Sequence, residues 1–142
     1  MRLDLYQSEC ERIARQQQTV LDQVAERLRA GESLSLLEQG GVLHALQVLV
    51  ENAIGKCKHW LKAHNVAIPV SAYDAFFELH SRGFIDAMAL NEWNAAIGLR
   101  NRIVHDYMNI DAALVNELVL AGKHRFIADF LVRPIEPMTH SI

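Results

Sequence analysis

Two cysteines in 142 residues are too few for a disulfide framework. Cys10 and Cys57 fall on the apolar stripes of two expected helices, where a free thiol behaves as a small hydrophobe, so both are expected to be reduced and structural. Three prolines and seven glycines interrupt a chain that is 51% hydrophobic, a composition that argues against disorder and fits a compact helical protein. No apolar run approaches the roughly 18 residues of a membrane span. Met1-Arg2-Leu3-Asp4 begins a helical pattern and not a signal peptide, so a soluble, cytoplasmic protein with no membrane partner is expected. The net charge of −3 excludes a whole-surface attraction for nucleic acid. Any RNA contact must come from a local patch, for which Arg100, Arg102 and the run Lys123-His124-Arg125 are candidates, unless that run is a solvated helix face. His44, His59, His64 and His80 lack the i, i+4 spacing that puts two ligands on one helix face, and no Cys-x-x-Cys accompanies them. No metal site and no cofactor is expected. Strand alternation, internal repeats and low-complexity blocks are also missing, which leaves helices as the building material.

The helical periodicity is explicit. Leu3, Tyr6, Cys10, Ile13, Val20, Val24 and Leu28 recur by threes and fours, predicting a helix over residues 2–29, with Gln17 in the seam and Gly31 beyond its end. Ser35-x-x-Glu38 is a capping box for a second helix over 35–64, striped by Leu43, Leu46, Val50, Ala53, Cys57 and Trp60. Leu49, Ile54 and Leu61 widen that stripe, so the helix must touch more than one neighbour. Gly40-Gly41 costs roughly 1 kcal/mol per glycine inside a helix. Either the helix starts at about Val42, or a close backbone approach compensates. Ser71 caps a short third helix carrying Tyr73, Phe76, Phe77 and His80 as core aromatics, ended by Gly83. Asp86 caps a fourth that runs to about Val104, and Asp111 caps a fifth, with Leu114, Leu118, Ala121, Ile127 and Phe130 inward and Pro134 and Pro137 at its end. The fold class is all-α, an up-and-down bundle of about five helices in a single domain over 1–142, with a mobile tail from about 134.

The most informative stretch is Arg100-Asn101-Arg102-Ile103-Val104-His105-Asp106-Tyr107. On a helical wheel, Leu90, Trp93, Ala96, Ile97, Leu99, Ile103 and Val104 all lie within about 100° of Arg100, which places a permanent cation in an apolar arc. Such a guanidinium must be paired, carried across an interface, or be waiting for an anion. His105 would be turned about 140° away on an unbroken helix. The two can meet only if the helix ends near Val104 or a second subunit contributes. An anion-holding arginine and a histidine able to titrate near neutrality are the minimum parts for cleaving RNA without a metal.

The string Arg-Asn-x3-His continued to Asp-Tyr resembles the signature of the HEPN superfamily. Gly98 to Tyr107 is most similar to the HepT toxins, with their Arg-x4-His-x-Tyr motif. The Ala45-Leu46-Gln47…Val50-Glu51 stretch and the helix order agree. The resemblance implies a HEPN-like bundle and a metal-independent endoribonuclease, the toxin of a two-gene toxin–antitoxin module. Its implied partners are RNA, a second copy of the chain, and a minimal nucleotidyltransferase antitoxin that attaches AMP to Tyr107. It further implies that Arg100 and His105 are catalytic and that Glu51 faces the motif helix, although Glu51 also reads as a surface glutamate paired to a neighbour.

The roles follow from the chemistry. His105 would act as general base or acid and Arg100 would donate to the phosphorane oxygens. Asn101 would orient the histidine or a phosphate oxygen, and Arg102, on the outer face, would at most contact RNA. One histidine does not easily serve as both base and acid, which two motifs lining one cleft would resolve. Trp93, Ile97 and Val104 are then either the dimer contact or monomer packing. Tyr107 either stands exposed in the link or packs on the end of the fifth helix. The competing functional reading is a non-catalytic nucleotide- or substrate-binding partner of a nucleotidyltransferase, and a third is a structural dimer with a paired arginine.

Overall fold

The computed structural model describes residues 3–135. Among these are six α-helices, α1 Leu3–Arg29, α2 Leu36–Ala63, α3 Ala72–Ser81, α4 Ala87–His105, α5 Ala112–Leu120 and α6 Arg125–Val132, with a 3₁₀ turn at Tyr107–Asn109 and no strand. The all-α bundle is as expected. Pro137 and most of the tail expected to be mobile lie outside the described residues.

The caps are those the residue types dictate. Ser35 Oγ accepts from the Glu38 N–H at 3.1 Å while the Ser35 N–H donates to Glu38 Oε1 at 2.9 Å. That reciprocal cap, worth about 1 kcal/mol, starts α2 at Leu36, so the helix passes straight through Gly40-Gly41. Ser71, Asp86 and Asp111 each accept from the backbone N–H three residues on, opening α3, α4 and α5.

α2 is the axis of the bundle and packs against α1, α3, α4 and α6. Its width of apolar surface requires this: Leu49, Val50, Ala53, Cys57, Trp60 and Leu61 are all fully buried. An aromatic cluster joins the outer helices. Trp93 stacks on Phe76 of α3 at 4.4 Å between ring centroids and meets Phe126 and Phe130 of α6 edge-on at 4.9 and 5.0 Å. Phe76 is therefore core, as expected, but Tyr73 and Phe77 stay at the surface. Both cysteines are free and buried.

One expectation about the helices is corrected, and one open reading is decided. The long fifth helix is two, because Gly122 takes a left-handed φ of +72° and the chain turns before α6. The break also shifts the inward stripe. Val115 and Val119 are buried in place of the expected Leu114 and Leu118, which remain exposed with Ala121, and Ile127 and Phe130 reach the core from the new direction of α6. Trp93 and Ile97 are buried within the chain at 2% and 0% exposure, so neither forms a dimer contact. Among the described residues no helix is long and apolar enough to cross a membrane.

Candidate active site

α4 carries the motif as one unbroken helix through His105, one residue beyond the expected end. Its end is fixed locally. The Asp106 N–H donates to the Arg102 carbonyl at 2.8 Å, and the Asn109 amide donates to Asp106 Oδ1 at 2.7 Å, which closes the 3₁₀ turn behind the motif. An unbroken helix leaves Arg100 and His105 about 140° apart about the axis. Of the two ways for the pair to meet, the early helix end is thus removed.

Arg100 is half-buried, and its Nε–H is shielded from solvent with no hydrogen-bond acceptor among the described residues. No ion pair neutralises it there. A buried guanidinium donor without an acceptor is costly, on the order of 1–3 kcal/mol, and the arrangement suits an incoming anion. His105 is exposed, and its ring has no hydrogen bond or ion pair among the described residues.

The remaining candidates divide. Asn101 is half-buried beside Arg100. Arg102 is exposed and donates to the Asn109 carbonyl at 3.5 Å, tying the helix end to the turn. Glu51 is exposed on α2 and accepts from the Gln47 amide one turn earlier at 2.8 Å. The surface-pair reading of Glu51 describes this arrangement, with no ion pair to α4 among the described residues. Tyr107 opens the 3₁₀ turn at 49% exposure. Its hydroxyl lies against α2, where a Cβ added to Gly40 would be 3.7 Å away. Tyr107 therefore stands half-exposed in the link, with its hydroxyl beside α2. At that ordinary contact distance the tyrosine does not require a glycine at 40, so no close backbone approach accounts for it.

Sequence reading passed over one polar pair. His124 sits in the α5–α6 turn, not on a solvated helix face, and is 4% exposed between the exposed Lys123 and Arg125. Gln18 Nε2 lies 3.1 Å from His124 Nε2 and 2.9 Å from Asp22 Oδ1. Burial, with the Arg125 charge adding to it and Asp22 opposing, lowers the His124 pKa and keeps the ring neutral. The signal that could have found it was a glutamine on α1 and a histidine in the α5–α6 turn, a weak one without the fold. Among the described residues no three His, Cys, Asp or Glu side chains are grouped as metal ligands would be.

The fold and this helix end define a helical bundle that presents an unpaired arginine and an exposed histidine on one helix terminus. Residues 9–125 match the HepT-like family, described as Ribonuclease HepT-like, and the chain belongs to that family. Two solved structures share the fold. A toxin–antitoxin complex crystallised with AMP-PNP superposes with a TM-score of 0.74 at 20% identity, covering 89% of this chain and 97% of its own. A tri-AMPylated Shewanella oneidensis HEPN toxin in complex with its MNT antitoxin gives 0.69 at 21% identity, covering 92% and 98%. No curated protein matches the chain.

Proposed function

We propose that this chain is the ribonuclease toxin of a two-gene module and cleaves RNA without a metal, through Arg100 and His105 supplied by two copies of the chain. The observation that carries the reading is the half-buried Arg100 with an unsatisfied Nε–H, one and a half turns before an exposed histidine. The guanidinium holds the scissile phosphate and stabilises the charge that accumulates on its oxygens. His105 of one copy takes the proton of the ribose 2′-hydroxyl as that oxygen attacks phosphorus, and His105 of the other protonates the departing 5′-oxygen. The products are a 2′,3′-cyclic phosphate and a free 5′-hydroxyl. Asn101, one turn before His105 on the same helix face, orients the histidine or a phosphate oxygen.

Membership of the HepT-like family supports the ribonuclease activity. The similarity to a tri-AMPylated HEPN toxin in complex with an MNT antitoxin supports a nucleotidyltransferase partner that attaches AMP, and the half-exposed Tyr107 beside the motif is the residue we assign to it. AMP on the Tyr107 hydroxyl would bring a phosphate close to the motif and compete for Arg100 by charge and bulk.

The test is incubation of the purified protein with bulk cellular RNA in the presence of a chelator. Arg100→Ala and His105→Ala should each lower cleavage by about two orders of magnitude or more, with circular dichroism unchanged. Wild-type rates in either variant would overturn the mechanism; no cleavage by the wild type, with phosphate binding lost in Arg100→Ala, would instead identify the non-catalytic nucleotide-binding partner.

A further inference from the structure

The helix that carries the motif leaves a gap beside it. α4 packs on α2 and α3, and apart from Trp93 reaching Phe126 and Phe130 its backbone stands off from α5 and α6. The gap is a groove of about 510 Å³, within the range of small-molecule sites. Its walls are apolar, chiefly Leu46, Leu99, Leu118 and Phe126, and its few polar groups stand at the two ends. Glu92 and Arg102 both line it, ten residues apart on α4, which is about 15 Å along the helix. α5 follows the turn beside Arg102 and runs back, so Lys123 and His124 close the groove at the Glu92 end, where Phe126 touches Trp93.

His124 makes that end more than a surface. Gln18 Nε2 donates to Asp22 and faces His124 Nε2, which must then be the unprotonated nitrogen. The proton therefore sits on Nδ1, and that buried atom has no partner among the described residues. It is an N–H donor on a side chain that lines the groove, in want of an acceptor. The polar end thus offers the Lys123 ammonium beside one carboxylate acceptor, Glu92, with the His124 N–H shielded behind them. This set complements the edge of guanine: O6 and N7 accept, as they do from lysine elsewhere, while N1–H and the 2-amino group donate to a carboxylate. The apolar walls and Phe126 suit the flat face of a base. Arg102, at the far end and inside the motif, suits a phosphate.

We infer that this groove is a guanine-nucleotide site, holding the base between Glu92, Lys123 and His124 and the phosphate at Arg102. The occupant is either a free guanosine monophosphate or a guanosine unit of the RNA held beside the cleavage centre. Only the second source rests on the ribonuclease reading.

Titration calorimetry on the full chain with 5′-GMP, 5′-AMP, 5′-UMP, guanosine and inorganic phosphate tests the site directly. One GMP should bind per chain, at least tenfold tighter than AMP, UMP or guanosine. Leu99→Trp, which fills the groove, should abolish binding, and Glu92→Gln should bring GMP and AMP to within about twofold of each other. Absence of GMP binding, equal binding of all three nucleotides, or full binding by a folded Leu99→Trp protein would each overturn the proposal. Because the readout is binding, it can fail or succeed whatever the His105→Ala experiment gives. If Glu92→Gln also moves the cleavage pattern away from guanosines, the occupant is the RNA; if the pattern holds while GMP binding weakens, it is the free nucleotide.

Discussion

Arg100 and Tyr107 illustrate how far a single residue's surroundings constrain its chemistry. The arginine is shielded enough to make an unpaired donor unfavourable and open enough for a phosphate to reach it. Tyr107 is the complementary case, a phenol half in solvent whose oxygen rests in the notch left by Gly40. If the tyrosine is the switch, Tyr107→Phe should keep ribonuclease activity and escape neutralisation by the active partner supplied with ATP. Intact-mass measurement should then find AMP on the wild type and none on the variant. An adduct persisting on Tyr107→Phe would place the modification elsewhere. Gly40→Leu should act through the same contact. A branched side chain in the notch would push the phenol outward and change the rate of AMP addition at least severalfold while leaving Tyr107 itself intact, and an unchanged rate would show that the notch does not position the hydroxyl.

Among the elements, α6 depends most on a neighbour. It is 8 residues long, too short to be stable alone, and its last carbonyls are held by Lys56 of α2. The fully buried ammonium donates to Phe130 O at 2.7 Å, to Leu131 O at 2.9 Å and to Arg133 O. Lys56→Met keeps the volume but removes this donor from Phe130 O and Arg133 O, while Leu131 O retains the Gln7 amide at 3.1 Å, and should destabilise the fold by about 3 kcal/mol, measured by urea unfolding. Burial pushes the Lys56 amine from 10.5 down to about 8, against the opposing charge of Glu11. The folded chain then releases this proton at a lower pH than the unfolded chain, so between about 8 and 10.5 the unfolded state binds more protons and this group's contribution to stability rises with pH. The gap between wild type and Lys56→Met should therefore widen from pH 7.5 to 9.5, and a narrowing gap would contradict the depressed value. The sequence placed position 56 within α2 but carried no sign of this bond, because the acceptors lie more than seventy residues away.

At the scale of the whole molecule, the proposed mechanism requires more than one chain. α4 stays helical to His105, so its arginine and histidine project in different directions, and the surface that could complete the cleft is the exposed end of α4 around Val104. Adding excess inactive His105→Ala protein to the wild type should lower activity more steeply than dilution alone, since a mixed dimer keeps only one of the two histidines that serve as base and acid. Sedimentation should show a dimer at micromolar concentration. Activity strictly proportional to the wild-type protein present, or full activity from a monomer, would rule out the shared cleft.

What the residues determined unaided is local. Side-chain oxygens at Ser35, Ser71, Asp86 and Asp111 fix helix starts within one turn, and the three-and-four spacing of apolar residues fixes which side of α1 and α2 turns inward. The motif from Arg100 to Tyr107 was legible for the same reason, being eight consecutive positions on one helix end. Tertiary structure decided whatever depends on a distant partner. The seam between α4 and α6, the break at Gly122 that reorients half of an apparently continuous stripe, the seat of Tyr107 on Gly40 and the orphaned His124 each join residues far apart in the chain. Periodicity reports which face of a helix is apolar; it does not report what that face will meet, because packing is settled by the fit of all the helices at once.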